Sequence, residues 1–379
     1  MFRTRKMILP VVAILLAIGS FLRAQEPVAV EPTTENGYSW FDATKWPVEN
    51  KAWNDVDRYF ARFPARAKDQ VPEAVWNLSQ HSAGEVVRFR SDATEIKVRY
   101  RLLKAGLGMA HMPPTGVSGL DLYAFDDETN AWRWVACTQP TKQEEEKTWL
   151  GGLDGKERDF MVYLPLYNGI DALSIGVPEN AKFTALSPRS DRPIVYYGTS
   201  IAHGGCASRP GNAYTAMLGR RLDIPVVNLG FSGNARMEIG VAELLAELDP
   251  EIYVIDALPN MSPEQVAERA VPFVQKIREA HPQTPILLVE DRFFGNSWIT
   301  PKKREFHERN HAELRKAFQT LKENDNNLYY LDASNLFGET LDNDGTVDAS
   351  HPNDLGMWRM ANALEEVLRP ILEELRAGK

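Results

Sequence analysis

The chain predicts an α/β protein: a three-layer α/β/α domain built on a parallel sheet, preceded by a β-sandwich domain. Two contrasting rhythms carry that expectation. Up to about Pro178 apolar and charged residues alternate with the period of a strand, whereas after "SPRSDRP" short apolar runs alternate with long helical stretches. At 379 residues there is room for two ordinary domains. A composition of 44% hydrophobic and 25% charged residues is that of a folded, globular chain.

Residues 1–24 read as a signal peptide. Arg3, Arg5 and Lys6 precede an apolar stretch from Met7 to Leu22, and the small Ala24 stands before the polar "QEPVAVEPTTENG". The apolar stretch is short of the roughly 20 residues of a spanning helix and contains Pro10, Gly19 and Ser20. Cleavage near Ala24, an exported (periplasmic or secreted) product and no stable membrane span are therefore expected. Cleavage removes four cations and no acid, which takes the formal charge from −9 to −13. An acidic chain without a basic patch has no electrostatic footprint for nucleic acid. Cys137 and Cys206 are too few for a disulfide framework, and whether they pair is open.

The sandwich is expected over residues 25–185. "EIKVRYRL" alternates Ile96, Val98, Tyr100 and Leu102 with charged residues, as a strand with one wet face does. "EVVRFRS", "LDLYAFD", "WRWVACT" and "DFMVYLPL" are further strands, parted by turn-rich pieces such as "DDETN" and "GGLDGKE". Short strands without long helical patterns between them suggest two packed sheets.

The second domain is expected over residues 190–379. Its strands are "IVYYG", "PVVNLG", "IYVIDAL", "PILLVED" and "LYYLDAS", separated by helical stretches such as "SPEQVAERAVPFVQKIREAH". Ligands of such sheets sit beyond the carboxyl ends of the strands, and the reactive residue types collect there.

Ser200 stands where the first of these strands ends. A serine hydroxyl needs a base to take its proton and an acid to orient that base. "DGTVDASHPNDLGM" offers both, because Asp348 and His351 are three apart in a loop where Pro352 disfavours helix. Asp342 and Asp344 compete for the acid role without that short spacing. Acyl transfer also needs donors aimed at the developing oxyanion. Gly233, in a Ser-Gly-Asn turn after the second strand, and Asn260, after the third, are candidates beside the Ser200 N–H. The competing reading makes Ser200 a helix N-cap and gives Asn260 the same duty, although Ser262 is the better cap.

Taken in order, the Gly-x-Ser block, Ser-Gly-Asn, the Asn after the next strand and Asp-x-x-His resemble the four blocks of the SGNH (GDSL-type) hydrolase superfamily, over about residues 190–370. The resemblance implies a flavodoxin-like sheet, Ser200 as nucleophile, His351 as base and Asp348 as its orienting acid. It also implies Gly233, Asn260 and the Ser200 amide as oxyanion hole, with neither metal nor organic cofactor. Two blocks depart from the pattern, reading Gly-Thr-Ser and Leu-Pro-Asn-Met, so the chain resembles a divergent branch. "SGLDLYAFDD" is similar to the Gly-x-Asp-Leu-Tyr signature of the domain preceding this branch in many exported bacterial proteins. An α/β-hydrolase elbow fits less well, since "GTSIA" lacks its second Gly.

Other features have two readings. His203 either borders the pocket and contacts substrate or orients its loop, and Arg292, at a strand end, either binds a polar substrate group or forms a surface ion pair. "HERNH", residues 307–311, satisfies a zinc-peptidase pattern, but its charged flanks favour a solvated helix. Seven of the nine tryptophans precede residue 150, suited either to burial or to stacking on sugar rings.

The functional expectation is an exported serine esterase, first a carbohydrate O-acetyl esterase acting on acylated polysaccharide or oligosaccharide. A lipid esterase or thioesterase is the second reading, with "RFFGNSWITPKKREF" as the one candidate lid. A catalytically idle glycan-binding protein is the third.

Overall fold

The computed structural model describes residues 25–337 and 344–378. The expected signal peptide and Asp342 lie outside the described residues.

The N-terminal part forms two antiparallel sheets. One has six strands in the order Pro27–Val28, Phe183–Leu186, Val86–Ser91, Arg158–Tyr163, Asp121–Asp126, Ala131–Cys137; the other has five, in the order Thr33–Glu35, Tyr38–Asp42, Ile170–Pro178, Glu95–Leu102, Glu144–Gly151. Their facing sides bury Val87, Phe89, Ile96, Val98, Leu122, Phe160 and Ile175 in one core. Glu95–Leu102 buries every second residue, as its alternation requires.

Val86–Ser91 and Arg158–Tyr163 lack that alternation for a physical reason. Phe89, Phe160 and Val162 point into the sandwich, while Val86, Met161 and Tyr163 pack against the second domain. Strands covered on both faces read as continuous apolar runs.

The C-terminal part is a five-stranded parallel sheet in the order Val226–Gly230, Ile194–Gly198, Ile252–Asp256, Ile286–Val289, Leu328–Leu331. In chain order that is 2-1-3-4-5, which puts the topological switch point beside the first strand. One face carries the helices Tyr214–Arg221 and Asp354–Ala377; the other carries Ile239–Leu245, Pro263–Ala280 and Pro301–Lys322.

A segment of the first half completes the second half's core. Trp53, Phe63, Val75 and Trp76 pack on Val195, Tyr197, Val227 and Leu229 of the parallel sheet. Within it the buried Arg62 donates to the carbonyls of Asn228 (3.0 Å) and Gly230 (2.9 Å) on the edge strand, and to those of Leu78 and His81 at its own end.

The Gly-x-Asp-Leu-Tyr signature is also a clasp between halves. Asp121 is fully buried and accepts from Arg209 Nη1 (2.8 Å), the Gly211 N–H (2.8 Å) and Trp134 Nε1 (2.8 Å). Tyr123 Oη lies 2.6 Å from the same Arg209. A side chain at Gly211 would strike the Tyr123 ring at 2.4 Å.

Candidate active site

The strand Ile194–Gly198 runs into a one-turn helix, Ser200–His203. Thr199, not Ser200, is its N-cap: the Thr199 backbone is extended and its side chain accepts from the Ile201 N–H. Ser200 is therefore the first helical residue, and its hydroxyl is released from the capping role. Gly198 is dictated by crowding, since a Cβ there would lie 2.7 Å from Ala202 Cβ and 2.9 Å from the Asp256 carbonyl.

Ser200 Oγ lies 2.9 Å from His351 Nε2, and His351 Nδ1 lies 2.8 Å from Asp348 Oδ2. The carboxylate fixes the proton on Nδ1 and leaves Nε2 to accept from the serine hydroxyl. Asp348 also shapes the loop, because its Oδ1 accepts from the N–H groups of Ser350 (2.9 Å) and His351 (2.7 Å). Partial burial works to raise the Asp348 pKa, but the His351 amide, the His351 ring and the Ser350 amide outweigh it and hold the carboxyl at about 2. Asp344 stands apart from this chain, with its backbone carbonyl accepting from Asn353 Nδ2 (2.6 Å).

Gly233 occupies a turn closed by Asn234 N–H to the Phe231 carbonyl (2.9 Å), with a φ of 71° that favours glycine. No atom lies within 4 Å of the place its Cβ would take, so its backbone is approachable. Asn260 ends the short helix Leu258–Asn260. With Oδ1 accepting from the N–H groups of Asn234 (3.0 Å) and Ala235 (3.2 Å), its NH₂ turns to the opposite side. The reverse orientation would set the nitrogen against those two donors for a long 3.4 Å contact with the Phe231 carbonyl. Ser262 caps the next helix, in a capping box with Gln265.

Two expected substrate contacts are corrected. His203 is fully buried, with Tyr167 stacked on it at 4.2 Å and its Nε2 3.4 Å from His81 Nδ1. Burial, and behind it the Arg62 charge, holds its pKa well below the usual histidine range. It packs the turn under Ser200 and has no surface for substrate. Arg292 is also buried, forms no ion pair among the described residues, and is not a free cation in the pocket. Its guanidinium donates to the carbonyls of Phe293 (2.7 Å), Ala349 (3.1 Å) and Ser350.

The solvated reading of "HERNH" is corrected as well. The helix Pro301–Lys322 buries His307, Asn310, His311, Leu314 and Ala317, a stripe at helical spacing. Asp291, at the end of the fourth strand, explains the polar stripe: His307 Nδ1 lies 2.6 Å from its Oδ2 and His311 Nε2 2.8 Å from its Oδ1. His307 Nε2 accepts from the Phe294 N–H (3.1 Å). Although the three side chains bring ligand atoms within 4.8 Å of one another, these atoms already satisfy each other.

Three neighbours of the site have no signature in the chain. The exposed His111, from the first half, sets its ring 5.6 Å from that of His351. Cys206, whose thiol burial pushes up to about 12, shares a cluster with these two rings. Tyr167 Oη donates to the Ser200 carbonyl at 3.0 Å. Cys137 and Cys206 are both free thiols.

A strand-end serine beside a histidine, at the switch point of a parallel sheet, defines a serine hydrolase of the flavodoxin-like class. Residues 191–369 match the GDSL-like lipase/acylhydrolase family, and residues 38–183 match the N-terminus of SGNH-hydrolase-type esterases. A crystal structure from Bacteroides ovatus, described as a GDSL-like lipase, is 32% identical, with TM-score 0.84, over 89% of this chain and 98% of that one. The chain belongs to the GDSL-like lipase/acylhydrolase family and is a serine ester hydrolase. The fold is shared with the salicylyl-acyltransferase SsfX3 of a tetracycline biosynthetic pathway (18% identity, TM-score 0.65, 92% of this chain and 94% of that one). It is shared too with a family two carbohydrate esterase from Cellvibrio japonicus (12% identity, TM-score 0.58, 89% and 99%). Comparison with curated proteins gives no match. Among the described residues no helix is long and apolar enough to cross a membrane.

Proposed function

We propose that this chain is an exported carbohydrate O-acetyl esterase working through Ser200, His351 and Asp348. The observation that carries the catalytic part is the unbroken hydrogen-bonded series from Ser200 Oγ through His351 to Asp348. His351 Nε2 takes the hydroxyl proton as Ser200 attacks the ester carbonyl, and the ionised Asp348 stabilises the imidazolium that forms. The N–H groups of Ser200 and Gly233 and the Asn260 amide hold the oxyanion. Collapse expels the alcohol, which takes its proton from His351. Water, activated by the same Nε2, then attacks the acyl-enzyme, and acetate leaves with Ser200 restored.

The carbohydrate part is supported by the shared fold of the family two carbohydrate esterases and export by the signal-like N-terminus. A second reading, an esterase for longer acyl chains, is favoured by one feature. Trp298 (75% exposed) and Ile299 (63%) are apolar side chains on the loop whose Gly295 N–H bonds to the Ala349 carbonyl (2.7 Å), two residues from His351.

Acetate release from a panel of acetylated polysaccharides, set against p-nitrophenyl esters of rising chain length, tests both readings. Release by the mature protein and not by Ser200→Ala is expected, with acetyl preferred. A rate that climbs with acyl length and no polysaccharide turnover would favour the second reading.

A further inference from the structure

Two clefts between the sandwich and the parallel-sheet domain join into one groove. The first, of about 610 Å³, is lined by Trp134 of the sandwich and Trp358 of the last helix, with Arg220 between the domains. The second, of about 1110 Å³, shares Phe125, Trp132, Arg221 and Asp223 with it. Arg192, Asp223 and Glu251 of the second cleft lie one to three residues before strands of the parallel sheet, whereas Arg209 of the first follows the turn that bears Ser200. The groove therefore runs from the amino ends of the sheet toward its carboxyl-end side, and the residues of the Ser200 site line neither cleft.

Its aromatic walls are held ready. Trp134 is 51% exposed, yet its Nε1 is fixed on Asp121 (2.8 Å) and the Arg209 guanidinium stands 5.0 Å from its ring. Trp358 is 53% exposed and braced by Arg221 at 4.0 Å. Each indole ring has a guanidinium over one face and is about half exposed, which leaves its other face as the flat apolar surface that the face of a sugar ring packs against. Most tryptophans of the first half are buried in packing, as Trp40, Trp46, Trp53, Trp76 and Trp149 are. Trp134 and Trp358 are not spent that way.

The groove also holds an unsatisfied cation. Arg220 forms no ion pair among the described residues; its Nη2 donates to the Gly211 carbonyl (2.7 Å), while Nη1 is buried without a partner. Tyr123 lies against it at 4.2 Å. The guanidinium is enclosed by Tyr123 and Tyr163 and feels the Asp121 carboxylate without pairing with it; a ligand carboxylate that reached it would supply the missing acceptor. The other arginines of the first cleft, Arg209 and Arg221, are paired with Asp121 and Glu365. The second cleft sets eight arginines against six carboxylates, a nearly balanced lining that suits a polymer whose charges are sparse.

We infer that this interdomain groove binds a polysaccharide strand, neutral along most of its length and carrying occasional uronic acids, and leads it toward the Ser200 site. The inference rests on the carbohydrate esterase reading for what happens at the end of the groove, but not for binding itself.

Binding is measured on the full mature chain carrying Ser200→Ala, by affinity electrophoresis and calorimetry, with three probes: glucuronoxylan, the same polymer with its carboxyls reduced to alcohols, and dextran sulfate. Trp134→Ala with Trp358→Ala, both exposed positions, is expected to raise the Kd for glucuronoxylan at least about tenfold, and carboxyl reduction to weaken binding several-fold. Arg220→Gln should remove the difference between the two polymers, and should that variant fail to fold, the carboxyl-reduced polymer still tests the charge. Retention unaffected by the tryptophan changes would overturn the groove. Equal binding of the reduced polymer would overturn the uronic acid, and tighter binding of dextran sulfate would reduce the groove to ion exchange and overturn it too. Acetate release by the Ser200 protein is read separately. Its absence alongside tryptophan-dependent binding would count against the esterase reading and leave the groove standing.

Discussion

Arg292 Nη2 donates to the Ala349 carbonyl at 3.1 Å, and this bond ties the end of the fourth strand to the turn that presents His351. Ala349 has a φ of 69°, a left-handed conformation unfavourable to an alanine. Arg292, with a second bond to the Ser350 carbonyl, and Asp348 Oδ1, on the Ser350 and His351 amides, hold that turn from opposite ends.

Arg292→Ala should therefore act on the imidazole through its turn. The expected result is a fall in kcat of about ten- to a hundredfold, with KM little changed and a lower melting temperature. Arg292→Lys should restore only part of it, since one ammonium cannot reproduce the planar fork. Steady-state kinetics and the rate of Ser200 labelling by a fluorophosphonate read this directly. A loss confined to KM would point back to substrate binding and against positioning.

Asp348→Asn separates geometry from charge. The asparagine oxygen can still accept from the Ser350 and His351 amides, so the turn should persist, but its NH₂ would face Nδ1 and favour the wrong tautomer. A loss in kcat of about 10³-fold or more is expected with the melting temperature nearly unchanged. Because the carboxyl of the parent is held at about 2, its protonation should not limit activity anywhere above about pH 4. An acid limb that disappears in Asp348→Asn would contradict this.

The strand-end serine and the Asp-x-x-His loop were legible because their chemistry is local: a short spacing, a proline after the histidine and a strand before the serine. Gly198, Thr199 and Ser200 show how much more the contacts add, since only the crowding around Gly198 and the cap by Thr199 explain the block's order. The errors share a cause. His203, Arg292, His307 and His311 are polar residues whose partners are remote carbonyls, rings or the single carboxylate of Asp291. Polarity in a sequence suggests solvent until the partner is known. His111 comes from a loop of the first half some 240 residues before His351, and no periodicity announces such a meeting.

The expected boundary near residue 190 leads to a further test. A fragment of residues 186–379 would lack Trp53, Arg62, Phe63 and Trp76, leaving Val227 and Leu229 uncovered and two edge carbonyls without their donor. Exposing several large apolar side chains forfeits about 1.5–3 kcal/mol for each one fully buried, a large share of a domain's stability. The fragment is expected to be insoluble or to bind a hydrophobic dye without a cooperative melt. A fragment that melts sharply, at the temperature of the whole chain, would show that residues 51–82 are dispensable to the sheet.

Asp256 supplies the pH dependence. It ends the third strand, buried, with the hydroxyls of Tyr196 (2.9 Å) and Tyr214 (3.1 Å) donating to one carboxyl oxygen. Burial raises its pKa to about 6, despite the two tyrosines, which act to lower it. Near pH 5 the folded chain thus keeps a proton that the unfolded chain has released. Stability from this group is full below about pH 4, falls as the pH rises to about 6, and the deficit persists above that. A shift of about two pKa units corresponds to roughly 3 kcal/mol at most. Asp256→Asn keeps an acceptor for both tyrosines and cannot ionise, so its unfolding free energy relative to the parent should rise between pH 4 and 6 and then level off. Urea unfolding of the two proteins across pH 4–8 gives the comparison; curves that stay parallel would mean that Asp256 ionises normally in the folded chain.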